Sequence, residues 1–140
     1  MRVLLLALLL PVFCAVAGNG AVEVHVVNGK NGKPVAGAHV LVFHGGSADE
    51  VKQLKHSLDL RADSNGVAVL PSDIMLWLRV SVDWHRSCLS DPGGGIYSLA
   101  TIRDLGLVDS NTCGSITRKA SPGTLYLFVR DETLLEKMRH

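Results

Sequence analysis

Two histidines sit in alternating apolar runs, Val22-Glu23-Val24-His25-Val26 and Ala38-His39-Val40-Leu41-Val42. Side chains alternate along a strand, so the apolar residues of each run share one face and the histidine takes the other. If the runs pair antiparallel with Val24 opposite Val40, His25 falls opposite His39. Directly opposed Cβ atoms lie about 5 Å apart, close enough for two imidazoles to share a metal ion. His25 and His39 are therefore the metal-ligand candidates, although neither Glu23 nor the neighbours of Leu41 supply a secure third ligand. The competing expectation is a solvated pair on an outer face.

A second constellation is Asp83-Trp84-His85-Arg86, just ahead of Cys88. An indole can stack on a sugar ring or a peptide while a carboxylate and a guanidinium orient the ligand, which makes Asp83, Trp84 and Arg86 the ligand-binding candidates. The simpler expectation is that Trp84 packs over a disulfide. Catalytic signatures are missing from the sequence. Phe43-His44-Gly45-Gly46-Ser47 has the look of an esterase oxyanion loop, but no G-x-S-x-G nucleophile elbow accompanies it. There is no H-E-x-x-H, and Asp91-Pro92-Gly93-Gly94-Gly95 is not followed by the Lys-Ser/Thr of a phosphate loop. The reading is of a chain with no catalytic residues and no cofactor.

The whole chain has 140 residues, room for one domain. Its 14 basic and 13 acidic side chains nearly cancel, which argues against a nucleic-acid binder with a basic stripe. A hydrophobic content of 47% argues against disorder. Met1-Arg2 precedes the Leu-rich apolar stretch Val3–Val16, and Ala15-Val16-Ala17 presents small residues at the positions a signal peptidase reads. Residues 1–17 are read as a secretory signal cleaved after Ala17. The stretch is short for a bilayer span of about 20 apolar residues, and Pro11 interrupts it. Two cysteines remain after cleavage, Cys88 and Cys113, and an exported chain favours their joining as a disulfide.

The elements that would position these groups are short strands. Ala21–Val27 and Ala38–Phe43 flank a turn-rich segment and predict a β-hairpin or β-arch. Ala48–Lys55 predicts a helical turn or two, with Val51, Leu54 and Leu58 on one side. Leu58–Ala62 and Val67–Leu70 flank the turn Asp63-Ser64-Asn65-Gly66. Met75–Trp84 reads as one longer strand ending at Cys88, and Ser98 as the cap of a helix over Leu99–Leu107 with Leu99, Ile102 and Leu105 on one face. Leu125–Val129 is the last strand, and Thr133–Arg139 adds a final helical turn. Six to seven short strands with one or two small helices describe an all-β sandwich.

Two turns carry a family resemblance. Gly32-Lys33-Pro34-Val35-Ala36-Gly37-Ala38 followed by His39-Val40-Leu41-Val42, and Ala62-Asp63-Ser64-Asn65-Gly66 further on, resemble the landmarks of carboxypeptidase regulatory-like domains. These are also described as peptidase-associated, transthyretin-like or Cna-B-like modules. Ala62 stands where that family usually has Thr. The resemblance implies an immunoglobulin-like or transthyretin-like β-sandwich whose motif residues are scaffold, and it implies no catalysis. It covers residues 21–84; residues 85–140 depart from it as an extension of a single domain spanning 18–140. The expectation is thus a secreted or periplasmic, monomeric, non-catalytic module with a binding or structural role. Its partner would be an extracytoplasmic protein or glycan, without nucleic acid and without a membrane span after signal removal. The alternatives are a small metal-binding protein using His25 and His39, or a carbohydrate- or peptide-binding module centred on Trp84.

Overall fold

The computed structural model describes residues 20–90 and 95–139. Residues 1–17, expected from the sequence to be a secretory signal, and most of the loop Asp91–Gly95 lie outside the described residues. Nine strands and three short helices follow one another within them: β1 (Glu23–Asn28), β2 (His39–Gly45), α1 (Ala48–Lys52), β3 (His56–Arg61), β4 (Val67–Val69), β5 (Trp77–Val82), β6 (His85–Ser87), β7 (Ile96–Ser98), α2 (Leu99–Asp104), β8 (Leu107–Val108), β9 (Thr124–Asp131) and α3 (Leu134–Lys137). They form two sheets. One runs β4-β1-β9-β6, with β8 also pairing β9, and the other runs β3-β2-β5-β7. This is an all-β sandwich with minor helical content, as the alternation predicts. No helix among the described residues is long and apolar enough to cross a membrane.

The core lies between the sheets. Val24 and Val26 of β1, Val40 and Val42 of β2, Leu78 and Val80 of β5, and Leu125 and Leu127 of β9 all join one buried cluster. They are the period-two positions of their strands, so each strand presents one apolar face inward. Fully burying such a side chain contributes about 1.5–3 kcal/mol over leaving it in water. α2 closes one end of this cluster with Leu99 and Ile102.

The choice between hairpin and arch is settled by topology. β1 pairs β4 and β9, whereas β2 pairs β3 and β5. The connection is an arch from one sheet to the other, held to β1 by the isolated bridge Val27–Pro34 and by backbone bonds such as Gly32 to Asn28. Gly66, in the second motif turn, has φ +73, and a Cβ there would lie 2.7 Å from the Val26 carbonyl oxygen. Only glycine fits such an approach.

Several boundaries differ from the sequence reading, and β7 and β8 are additional to it. The run Met75–Trp84 does not stay in one strand: β5 stops at Val82, the chain turns at Asp83-Trp84, and β6 joins the other sheet beside β9. Cys88 accordingly follows β6. Leu54 leaves the buried side of α1 because the chain turns there at φ +54, and only Val51 of that helix is buried. α2 ends at Asp104, so Leu105 caps it while largely exposed and does not share the inward face. β9 is longer than Leu125–Val129 and lies inside its sheet, parallel to β1 from Glu23–Thr124 to Asn28–Val129.

Candidate functional site

Trp84 occupies a two-residue turn between the sheets. Its backbone has φ +64, a left-handed conformation that a bulky side chain rarely takes and that costs of order 1–3 kcal/mol. The side chain gains no packing in return, since the residue is 79% exposed. Trp84 therefore does not pack over the disulfide. The turn is held from both sides. The Asp83 amide donates to the His39 carbonyl at 3.0 Å, and Oδ2 of Asp83 lies 2.6 Å from Nδ1 of His39. The Asp83 carbonyl accepts from Nδ1 of His85 at 2.9 Å.

Each of those rings faces a second carboxylate. Nε2 of His39 is 3.3 Å from Oδ1 of Asp59 on β3, and Nε2 of His85 is 3.4 Å from Oδ1 of Asp131 on β9. The exposed indole is thus mounted on a hydrogen-bonded frame reaching into both sheets.

The three ligand-binding candidates do not converge. Asp83 is committed to His39. Arg86, opposite Arg130 in the β6–β9 register, places Nε 3.6 Å from Glu132 and 3.8 Å from Glu136. Trp84 is the most exposed of the three, while Asp83 and Arg86 are half-buried.

Beside the turn stands α3, which is fastened by its polar side. Thr133 and Glu136 form a reciprocal capping box, and Glu136 takes both terminal nitrogens of Arg130 at 2.9 and 2.8 Å. This bidentate bond holds the Glu136 carboxyl well below the usual carboxylate range. Leu134, Leu135 and Met138 are left exposed. The β6–β9 register puts His85 opposite Asp131, so these apolar residues and Trp84 share one end of the sandwich.

The metal-ligand candidates are separated by the arch. His25 lies on the outer face of one sheet, its Nε2 2.8 Å from Glu23 and its ring 4.9 Å from that of Tyr126. His39 lies on the outer face of the other sheet. Strands β1 and β2 do not pair, so the opposition of His25 and His39 does not occur. The histidines that do oppose each other are His44 and His56, on β2 and β3, with ring centroids 5.8 Å apart. Their positions follow from the β2–β3 register, which the sequence reading did not consider. Among the described residues no three His, Cys, Asp or Glu are arranged to hold a metal ion.

Cys88 and Cys113 are joined, with Cα atoms 5.4 Å apart. The bridge lies outside the main core, where Cys88 packs with Val27 and Phe128 in a second buried cluster covered by Ile116 and Tyr126.

A further pair had no sequence signal. The hydroxyl of Tyr97 donates to Oδ2 of Asp109 beside a cavity of about 120 Å³ that His85 also lines. Burial pushes both groups up: Tyr97 is held further in its neutral form by the Asp109 charge, while the Tyr97 bond only partly offsets the rise at Asp109. Another concavity, of about 860 Å³, lies between Ala21, Leu70, Arg103 and Gly123, and no aromatic side chain lines it.

The fold and these sites define a class, the two-sheet all-β sandwich. Comparisons with family models, with curated proteins and with solved structures each found no match.

Proposed function

We propose that this chain is an exported, non-catalytic β-sandwich module of the carboxypeptidase regulatory-like type that engages an extracytoplasmic partner through Trp84. One observation carries the reading: a large aromatic side chain is kept almost fully in water on a backbone conformation that glycine would adopt at lower cost. Strain without packing gain marks positions selected for something other than stability. The exposed ring is rigidly mounted, a property that favours an anchor by lowering the ordering cost of binding. The Leu-rich start and the disulfide support export. The arch and the Asp63–Gly66 turn, which carry the resemblance, support the family reading.

The test is Trp84→Gly. Relief of the left-handed strain should raise stability by about 1 kcal/mol in a denaturant melt. The same variant should lose the spots that labelled wild-type protein lights on glycan and peptide arrays. A destabilised Trp84→Gly protein would mean that the indole is a packing group, and unchanged array binding would remove Trp84 from the contact surface.

A further inference from the structure

We propose that His39 and His85 form a clamp on the Trp84 turn that tightens on mild acidification, so that presentation of the anchor is set by pH. The inference rests on the reading of Trp84 as the contact residue and concerns its regulation. A neutral imidazole has one N–H donor; a protonated one has two. In the neutral form the short contact at 2.6 Å assigns the His39 proton to Nδ1, facing Asp83, and the contact to a carbonyl assigns that of His85 to Nδ1 as well. Both Nε2 atoms then aim lone pairs at carboxylates, Asp59 at 3.3 Å and Asp131 at 3.4 Å. These are repulsive contacts. Protonation reverses both of them. Each ring becomes a bridge, from Asp83 to Asp59 on β3 and from the Asp83 carbonyl to Asp131 on β9, and hydrogen bonds from a cation to a carboxylate are roughly twice as strong as neutral ones.

The surroundings leave those two bridges as the main responders. Arg61 opposes His39 on β3, but its Nη1 donates to the Gly37 carbonyl at 3.2 Å. Arg86 and Arg130, beside His85 and Asp131 in sequence, turn to Glu132 and Glu136. Arg79, Tyr97 and Asp109 line the cavity that His85 borders, and Tyr97 and Asp109 are bonded to each other. Each bridge needs a protonated imidazole facing an ionised carboxylate, a combination that mild acid favours, so the clamp tightens as pH falls into that range.

The experiment needs no ligand. In a Trp77→Phe background Trp84 is the single tryptophan of the described residues, and its time-resolved fluorescence anisotropy reports motion of the turn. Anisotropy is used in preference to intensity because imidazolium quenches indole. The fast component should shrink as pH falls from about 8 to about 5.5. Adding Asp59→Asn and Asp131→Asn, at side chains 65% and 82% exposed, should abolish that change, because an uncharged amide can donate to the neutral Nε2 and removes the repulsion at high pH. His39→Gln with His85→Gln should also flatten the profile, with circular dichroism confirming the fold. A flat profile in the parent, or an unchanged slope in the Asn variant, overturns the clamp while leaving array binding by Trp84 intact. A normal slope in a protein whose array binding survives Trp84→Gly removes the contact reading and leaves the clamp.

Discussion

Asp109 and Glu136 are both carboxyls with one dominant partner, yet the fold drives them in opposite directions. Asp109 lies on the flank near the disulfide, where burial favours the protonated form and the bond from the neutral Tyr97 phenol only partly offsets it. Glu136 lies at the Trp84 end, where a guanidinium and a capped helix start favour the charged form. The flank is closed by covalent and desolvated contacts and serves cohesion. The end is closed by solvated, charged contacts and leaves its apolar groups outside. The contrast separates a region whose apolar and polar groups are closed off from water from one whose apolar groups face it.

The largest expected effect is at the flank. The bridge closes a sequence separation of 25, and on the chain-entropy argument its loss costs roughly 3 kcal/mol. Cys88→Ala with Cys113→Ala should lower the denaturation midpoint accordingly. A midpoint unchanged within error would show that the second cluster of Val27, Phe128 and Ile116 holds without the bridge, and the contrast between the regions would weaken.

Tyr97→Phe comes next, because it strips Asp109 of its partner in a partly buried site, at about 1–3 kcal/mol. Asp109→Asn should do the reverse at neutral pH, keeping an acceptor for Tyr97 without a buried charge. The sign follows from linkage. The folded value for Asp109 is raised above its ordinary 3.8, so its contribution is complete below that value and is lost as pH rises through the folded one. Tyr97, also raised, adds a further loss above about pH 10. Urea melts across this range should show stability falling with pH in the wild type and a flatter profile in Asp109→Asn. Parallel profiles would place the pair in effective contact with water.

The smallest effect belongs to Glu136→Gln. Its folded value is lowered, so its contribution is present above the ordinary carboxylate value and fades only as pH falls beneath it. The group is open to solvent, and global stability at neutral pH should hardly move. Amide exchange over Leu134–Met138 should nonetheless quicken, because the charged bidentate tether to Arg130 is lost while the Thr133 cap remains. Unchanged protection there would mean that α3 is held by something other than its polar side.

The alternating strands were legible because burial on one face writes period two into Val22-Val24-Val26, Val40-Val42 and Leu78-Val80-Val82. The cysteine pair was legible because Cys14 falls in the expected signal segment, which leaves Cys88 and Cys113 to pair with each other. Pairing between strands was not, since β1 and β2 alternate identically whether they share a sheet or face each other across the core. That ambiguity misplaced His25 against His39. The end of β5 was hidden for a related reason: Asp83-Trp84 carries no Gly, Asn or Pro to announce a turn, and the backbone there is strained. The frame around Trp84 joins Asp83 and His85 to His39, Asp59 and Asp131, so it draws on four separate places in the chain, and no local pattern links them.

The position of β9 sets an order of assembly. β1 acquires one neighbour as soon as β4 is made, but its other neighbour is β9, almost a hundred residues later in the chain and parallel to it. Parallel pairing of the first strand with the last carries the greatest loop-closure entropy in the molecule. Until Thr124–Asp131 arrives, the inner edge of β1 stays bare, and β6 and β8 have no strand to pair with. The β4–β1 sheet thus assembles late, and a chain synthesised from its N-terminus passes most of that time unfinished.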